Sequence, residues 1–342
     1  QREYLEIVRD SGESLMILIN DILDFSKIEA GQLDLESLAF NLPEALGGVM
    51  KALAMHAHTK GIELACDIGS SVPEQIHGDR NRLRQIITNL IGNAIKFTSA
   101  GEVVLRVRQI AETADHRMIR FQIRDTGIGI PADKVDHVFN AFVQADASTT
   151  RRFGGTGLGL AISTRLVRAM GGTLEVRSEV GVGSEFFFDL SFLKSETADV
   201  EEQPQCWDQL EGRSVLLVDD NDTNRLILQD MLQSFGMNAV AVESAEAALA
   251  ALAAAHQRSE SIELVLTDVN MPDVDGFMLA ERIREQTDWP QPGILALTSG
   301  PRPSDEVKAR ELQLAAHLMK PIKRSELYQA LLEAVSPTAS AE

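Results

Sequence analysis

Three aspartates stand at the ends of two apolar runs in the C-terminal part of the chain: Asp219 and Asp220 close "SVLLVDD", and Asp268 closes "IELVLTD". Strand-end carboxylates converge at the carboxyl edge of a parallel sheet, where ligands bind. Such carboxylates repel one another unless a cation lies among them, and hard oxygen donors suit Mg²⁺. Thr298 ends the run "GILALTS" and Lys320 the run "AAHLMKP". A hydroxyl and an ammonium beside a carboxylate–Mg²⁺ cluster are what a transferred phosphoryl group needs. A second set lies upstream. In "NLIGNAIKFT", Asn89, Asn93 and Lys96 fall at i, i+4 and i+7, one face of a helix. Amide oxygens ligate Mg²⁺, and a lysine neutralises phosphate. In "DTGIGI", Asp125 ends a strand ahead of Gly127 and Gly129. A buried carboxylate there accepts a hydrogen bond from an adenine amino group and repels the carbonyl of guanine. In "RRFGGTGLGLAIS", Gly154, Gly155, Gly157 and Gly159 run straight into helical spacing. Glycine turns that open helices hold anions on backbone N–H groups. Taken singly, these signals also fit helix caps, a polar helix face, a tight turn and an ordinary loop.

The surrounding pattern has to position these groups. From residue 213 to 336, five apolar runs alternate with helical stretches, which predicts a doubly wound parallel α/β sheet. The Ala-rich "AEAALAALAAA" is a strong helix former in that series. Residues 39–193 alternate helices with period-2 strands such as "EVVLRVRQI" and "MIRFQIRDTG", predicting an α/β sandwich with one sheet face covered. Residues 1–38 predict a helix with a seam at Leu5, Val8, Gly12, Leu15, Ile19 and Ile22, in steps of three and four. Such a stripe needs partner helices to bury it. The acidic, polar stretch 194–212 is a predicted linker and 337–342 a disordered tail.

Charge narrows the partners. The chain has 51 acidic and 32 basic side chains, a net charge of −19, which argues against a non-specific grip on nucleic acid or an anionic membrane. Its two cysteines, Cys66 and Cys206, have no metal or redox spacing and fit a reducing, cytosolic setting. No run reaches the length of a membrane span, and the opening residue, Gln1, suggests a piece of a longer protein.

With its motifs in this order, the stretch 40–193 resembles the ATP-binding domain of sensor histidine kinases, of the GHKL or Bergerat fold shared with gyrase, Hsp90 and MutL. "NLIGNAIKFT" looks like the N box, "DTGIGI" the G1 box, "FNAF" the F box and "GGTGLGL" the G2 box. The resemblance implies ATP and Mg²⁺ as cofactors. It implies Asn93, together with Asn89, on Mg²⁺, Lys96 near phosphate, Asp125 on adenine, and Gly127 and Gly129 at the nucleotide. It also implies a mobile lid from Phe139 to Gly159 whose Gly155, Thr156, Gly157, Leu158 and Gly159 meet the triphosphate. Residues 213–336 resemble a flavodoxin-like response-regulator receiver. That implies Asp268 as phosphoacceptor, Asp219, Asp220 and the Asn270 backbone on Mg²⁺, Thr298 and Lys320 on the phosphoryl oxygens, and a cis Lys320-Pro321 bond. His317 stands where relatives carry a switch aromatic.

An ATP domain joined to a receiver resembles a hybrid sensor histidine kinase. In that family phosphate passes from ATP to a histidine on a dimeric helical hairpin and then to the receiver aspartate. "LMILINDILDFSKIEAGQLDLE" looks like the second helix of that hairpin, so residues 1–38 are expected to be a hairpin fragment. None of the seven histidines has an acidic residue and a proline following as in that family, so the acceptor is expected upstream of Gln1. The resemblance implies a homodimer through the hairpin, a histidine phosphotransfer protein or response regulator as partner, and the cytosolic portion of a membrane-anchored sensor with no direct membrane contact of its own. The alternative is a non-catalytic nucleotide-binding scaffold whose receiver is an interaction switch.

Overall fold

The computed structural model describes residues 33–141, 157–194, 209–300 and 303–336, preceded by 12, 16, 19, 23, 26 and 29. Those six are helical and exposed, and they include Met16, Ile19 and Leu23 in steps of three and four. Leu5, Val8, Leu15 and Ile22 of the expected seam lie outside the described residues, as do most of the expected lid and the 337–342 tail. The chain forms two compact units.

The N-terminal elements are β1 (Leu38–Asn41), α1 (Leu42–Thr59), β2 (Ile62–Ile68), β3 (Gln75–Gly78), α2 (Arg80–Phe97), β4 (Gly101–Glu112), β5 (His116–Asp125), a 3-10 turn (Val135–His137), α3 (Gly159–Ala169), β6 (Leu174–Glu179) and β7 (Gly183–Leu193), all in the first unit except Met50–Thr59 of α1 and Glu63–Ile68 of β2. The sheet order is β1-β3-β7-β5-β4-β2, with β6 also on β7. β4, β5 and β7 are antiparallel, so Val107 stands opposite Phe121 and Phe121 opposite Phe188. Alternation then decides the faces. Ile119, Phe121 and Ile123 are fully buried, with the Phe121 and Phe188 rings stacked at 5.0 Å. The stripe Leu83, Ile86, Ile87, Leu90, Ile91, Ala94 and Ile95 of α2 is buried too, as are Ala161, Ile162, Leu166 and Val167 of α3. The opposite sheet face is polar: Arg120 donates two 2.7 Å hydrogen bonds to Asp189, and the Arg177 guanidinium lies 4.6 Å from the centre of the Phe187 ring. β1 and β3 escape the sequence because four residues show no period.

α2 starts where it does because Asp79 caps it, its Oδ1 accepting from Arg82 N–H at 2.9 Å. That fixes the phase in which Asn89, Asn93 and Lys96 leave the helix.

The second sheet is made of β8 (Ser214–Val218), β9 (Asn238–Val242), β10 (Leu264–Asp268), β11 (Gly293–Thr298) and β12 (Ala316–Met319). Around it lie α4 (Asp222–Ser234), α5 (Ala245–Gln257), α6 (Gly276–Glu285), α7 (Pro303–Glu311) and α8 (Arg324–Val335). All neighbours are parallel, in the order β12-β11-β10-β8-β9. Both faces are buried, which is why these strands are apolar without alternation. Val215, Leu217, Leu264, Leu266, Leu295 and Leu297 pack on one side with Leu228 and Leu232 of α4 and Leu327 and Leu331 of α8. Leu216, Val218, Val265 and Ile294 pack on the other with Ala248 and Leu252 of α5 and Leu279 and Ile283 of α6. Leu210, within the stretch expected to be linker, is fully buried in the first of these cores. Trp207 lies outside the described residues.

Candidate functional site

The parallel sheet delivers Asp219, just past β8, and Asp268, the last residue of β10, to one edge. The carboxylates of Asp219, Asp220 and Asp268 offer ligand atoms all within 4.8 Å of one another, the one such group among the described residues. Asp219 and Asp268 are buried and Asp220 is exposed. Lys320, 5% exposed, donates to Asp219 Oδ2 at 2.7 Å and Asp268 Oδ2 at 2.8 Å. Burial drives the Asp219 carboxyl up to about 6; Lys320 pulls against this and Asp268 adds to it. Burial opposes the charge on Lys320, but the attraction of Asp268 and Asp219 outweighs it and holds the ammonium above its usual range. Two buried carboxylates therefore share one buried ammonium, with a third, exposed carboxylate beside them. An all-oxygen set of this kind fits a divalent cation such as Mg²⁺.

The rest of this edge is held by local bonds. Asn221 N–H donates to Asp219 Oδ1 at 3.0 Å and Asn270 N–H to Asp268 Oδ1 at 3.2 Å. Thr298, buried at the end of β11, donates its hydroxyl to the Gly300 carbonyl at 3.0 Å. The Lys320-Pro321 bond is cis. His317 pairs in register with Ala296, and its Nε2 is buried without a hydrogen-bond partner.

In the first unit the helix face brings the two asparagines together. Asn93 Nδ2 donates to Asn89 Oδ1 at 3.4 Å, and Asn89 Nδ2 donates to Ser163 Oγ at 2.8 Å. Ser163, on α3, was not singled out by the sequence, because its partner is 74 residues away. The same pairing explains the last glycine of "GGTGLGL". A Cβ on Gly159 would sit 2.2 Å from Asn89 Oδ1 and 2.9 Å from its Cγ. Gly159→Ala is therefore expected to displace Asn89 and lower the unfolding free energy by about 1–3 kcal/mol, read in a denaturant melt. Unchanged stability would show that the contact is slack.

Lys96, in the last turn of α2, lies 5.1 Å from the centre of the Phe97 ring, and burial holds its ammonium below the usual range. Asp125 ends β5 at 6% exposure. Burial holds its carboxyl above the ordinary carboxylate range, and hydrogen bonds from the Gly127 and Ser184 backbone N–H groups oppose the shift. The Gly127 bond is 2.8 Å. A Cβ on Gly127 would meet the Phe97 carbonyl at 2.6 Å, so the "DTGIG" loop and the end of α2 are in backbone contact. Leu158, buried, is the N-cap of α3. Gly155 and Thr156 lie outside the described residues.

Residues 78–194 match the family described as histidine kinase-, DNA gyrase B-, and HSP90-like ATPase, and residues 215–332 match the response regulator receiver domain. The chain is 37% identical to the sensor protein GacS of Pseudomonas syringae pv. syringae, over 99% of this chain and 37% of that protein. It is 38% identical to the signal transduction histidine-protein kinase BarA of Escherichia coli (strain K12), over 97% of this chain and 35% of that protein. It is 32% identical to the sensory/regulatory protein RpfC of Xanthomonas campestris pv. campestris, over 97% and 49%. The chain thus spans between 35% and 49% of the length of these relatives. Among solved structures it resembles the crystal structure of full-length ShkA in complex with AMPPNP, with a TM-score of 0.74 and 31% identity over 99% of this chain and 66% of that one. With an ATPase-type domain and a receiver domain on one polypeptide, the chain belongs to the hybrid sensor histidine kinases.

Proposed function

We propose that this chain binds Mg·ATP in its first unit, transfers the γ-phosphoryl group to a histidine on a dimerisation hairpin helix, and relays that group to Asp268. The observation that carries the relay is the buried Lys320 bridging Asp219 and Asp268 inside a three-carboxylate cluster.

In the nucleotide site, Asp125 accepts from the adenine amino group, and Gly127 and Gly129 let the loop approach the base. Asn93, whose amide nitrogen is committed to Asn89, would offer its oxygen to the cation, with Asn89 holding the side chain in place. Lys96 meets phosphate, and the segment Gly155, Thr156, Gly157, Leu158 and Gly159 brings the start of α3 to the triphosphate. The histidine nitrogen attacks the γ-phosphorus and ADP leaves. A carboxylate oxygen of Asp268 then attacks the phosphorus of the phosphohistidine, the P–N bond breaks, and the imidazole leaves as it takes up a proton. Lys320, and Thr298 on releasing Gly300, contact the phosphoryl oxygens. Asn93 in one site, and Asp219, Asp220, Asp268 and the Asn270 backbone in the other, would hold Mg²⁺, which would supply neutralisation of phosphoryl charge. Positioning and electrostatics supply most of the rate in phosphoryl transfer.

Dimerisation through the hairpin is supported by Met16, Ile19 and Leu23, helical and 43–59% exposed in the single chain. The next acceptor after Asp268 is a histidine phosphotransfer protein or a response regulator. No described helix is long and apolar enough to cross a membrane, and we place this chain in the cytosolic part of an anchored sensor. The test is incubation with γ-labelled ATP and a supplied histidine-bearing hairpin. Acid-labile label on the hairpin histidine supports the kinase. ATP binding without any label there favours the scaffold alternative.

A further inference from the structure

The helix that carries Asn89, Asn93 and Lys96 ends at Phe97, and its last carbonyls have no partners within the helix. Ala94 O is taken by Thr98 N–H at 3.0 Å, and Phe97 O by Ile128 N–H, from the "DTGIGI" loop, at 3.3 Å. The other two, and the carbonyl of the cap residue Thr98, converge on one side chain. Lys60 Nζ donates to Ile95 O at 2.6 Å, to Lys96 O at 3.0 Å and to Thr98 O at 3.0 Å. Three donors thus meet three acceptors, and a positive charge sits at the negative end of the helix. Lys60 lies in the turn between α1 and β2, followed by Gly61 at φ +68°.

We infer that Lys60 is a positioning residue for the nucleotide site. It fixes the turn of α2 from which Lys96 projects, and that turn, through Phe97 O, backs the loop that carries Gly127 and Ile128 next to Asp125. Lys60 acts through these groups and touches neither base nor phosphate. The inference rests on the assignment of this site to ATP. It predicts that Lys60 sets nucleotide affinity as well as helix stability, because Lys96 and Asp125 serve the two ends of one ligand from elements that meet at this turn.

The test compares the unsubstituted chain with Lys60→Met, Lys60→Gln and Lys60→Arg by calorimetric titration with Mg·ATP, well below the melting temperature of every variant. Each melting temperature is measured without nucleotide. Lys60→Met is expected to raise the ATP dissociation constant about tenfold, since three charge-assisted bonds and a dipole contact are lost. Lys60→Arg restores affinity to within about threefold, because it keeps charge and several donors. If Lys60→Met does not fold, Lys60→Gln, which keeps a donor without the charge, is expected to bind between Lys60→Arg and no binding. Melting temperatures that fall while every dissociation constant stays within about twofold would reduce Lys60 to a helix cap and overturn the inference. Absence of ATP binding by the unsubstituted chain would instead overturn the nucleotide assignment itself.

Discussion

Asp125→Asn is expected to weaken ATP binding by about 100-fold, close to 2.7 kcal/mol, while the chain stays folded. The Gly127 and Ser184 backbone N–H groups both donate to the Asp125 carboxyl. An asparagine can keep an oxygen towards these donors only by presenting its NH₂ to the adenine NH₂, donor against donor. Turned the other way, it sets the NH₂ against the backbone donors. Either orientation leaves a buried donor unsatisfied. The fold survives because the carboxyl lies above its ordinary range through burial, so folding disfavours the charge at neutral pH. A carboxyl raised in the folded state contributes stability below its unfolded value and loses it as the pH climbs through the raised one, so a neutral amide gives up nothing at pH 7. Calorimetry with ATP and GTP on both chains checks this. A dissociation constant within about threefold of the unsubstituted value would remove Asp125 from the adenine contact.

Asp268→Asn is expected to abolish base-labile label on the chain, a fall of more than about 100-fold, under acetyl phosphate with Mg²⁺ or under a phosphorylated hairpin. An amide oxygen is not a nucleophile towards phosphorus, and only a carboxylate gives an acyl phosphate. Packing survives, because the asparagine oxygen can still accept from Lys320 or from Asn270 N–H, the two donors at Asp268. Asp219 is the rival acceptor, since it lies as close to Lys320. Asp219→Asn and Asp220→Asn are expected to slow labelling and raise its Mg²⁺ requirement, with the label still on Asp268. Undiminished label in Asp268→Asn would transfer the role to another carboxylate.

What was legible in the sequence follows from where the information lies. The receiver sheet is written in five apolar runs because both of its faces are buried. Asp219, Asp268, Thr298 and Lys320 were singled out because strand ends are visible as the close of a run, and a parallel sheet gathers such ends. Asn89 and Asn93 show themselves by helical spacing, which their 3.4 Å bond reflects. The supports of these groups are tertiary and left no local trace. Ser163 reaches Asn89 across 74 residues and Lys60 reaches Ile95 across 35, and neither spacing has a period. In sequence Gly159 reads as part of the glycine-rich lid, yet its close approach to Asn89 depends on how α2 and α3 pack. Leu210 reads as polar linker because its neighbours in sequence are polar, whereas in space it belongs to the core that holds Val215 and Leu232.

The most direct measurement follows one phosphoryl group without ATP. A hairpin labelled on its histidine, freed of nucleotide, is mixed with this chain and Mg²⁺, and the label is located over time. The account predicts that acid-labile label leaves the hairpin while an equal amount of base-labile label arrives on Asp268. Label that stays on the histidine, or arrives on any residue other than Asp268, would contradict it.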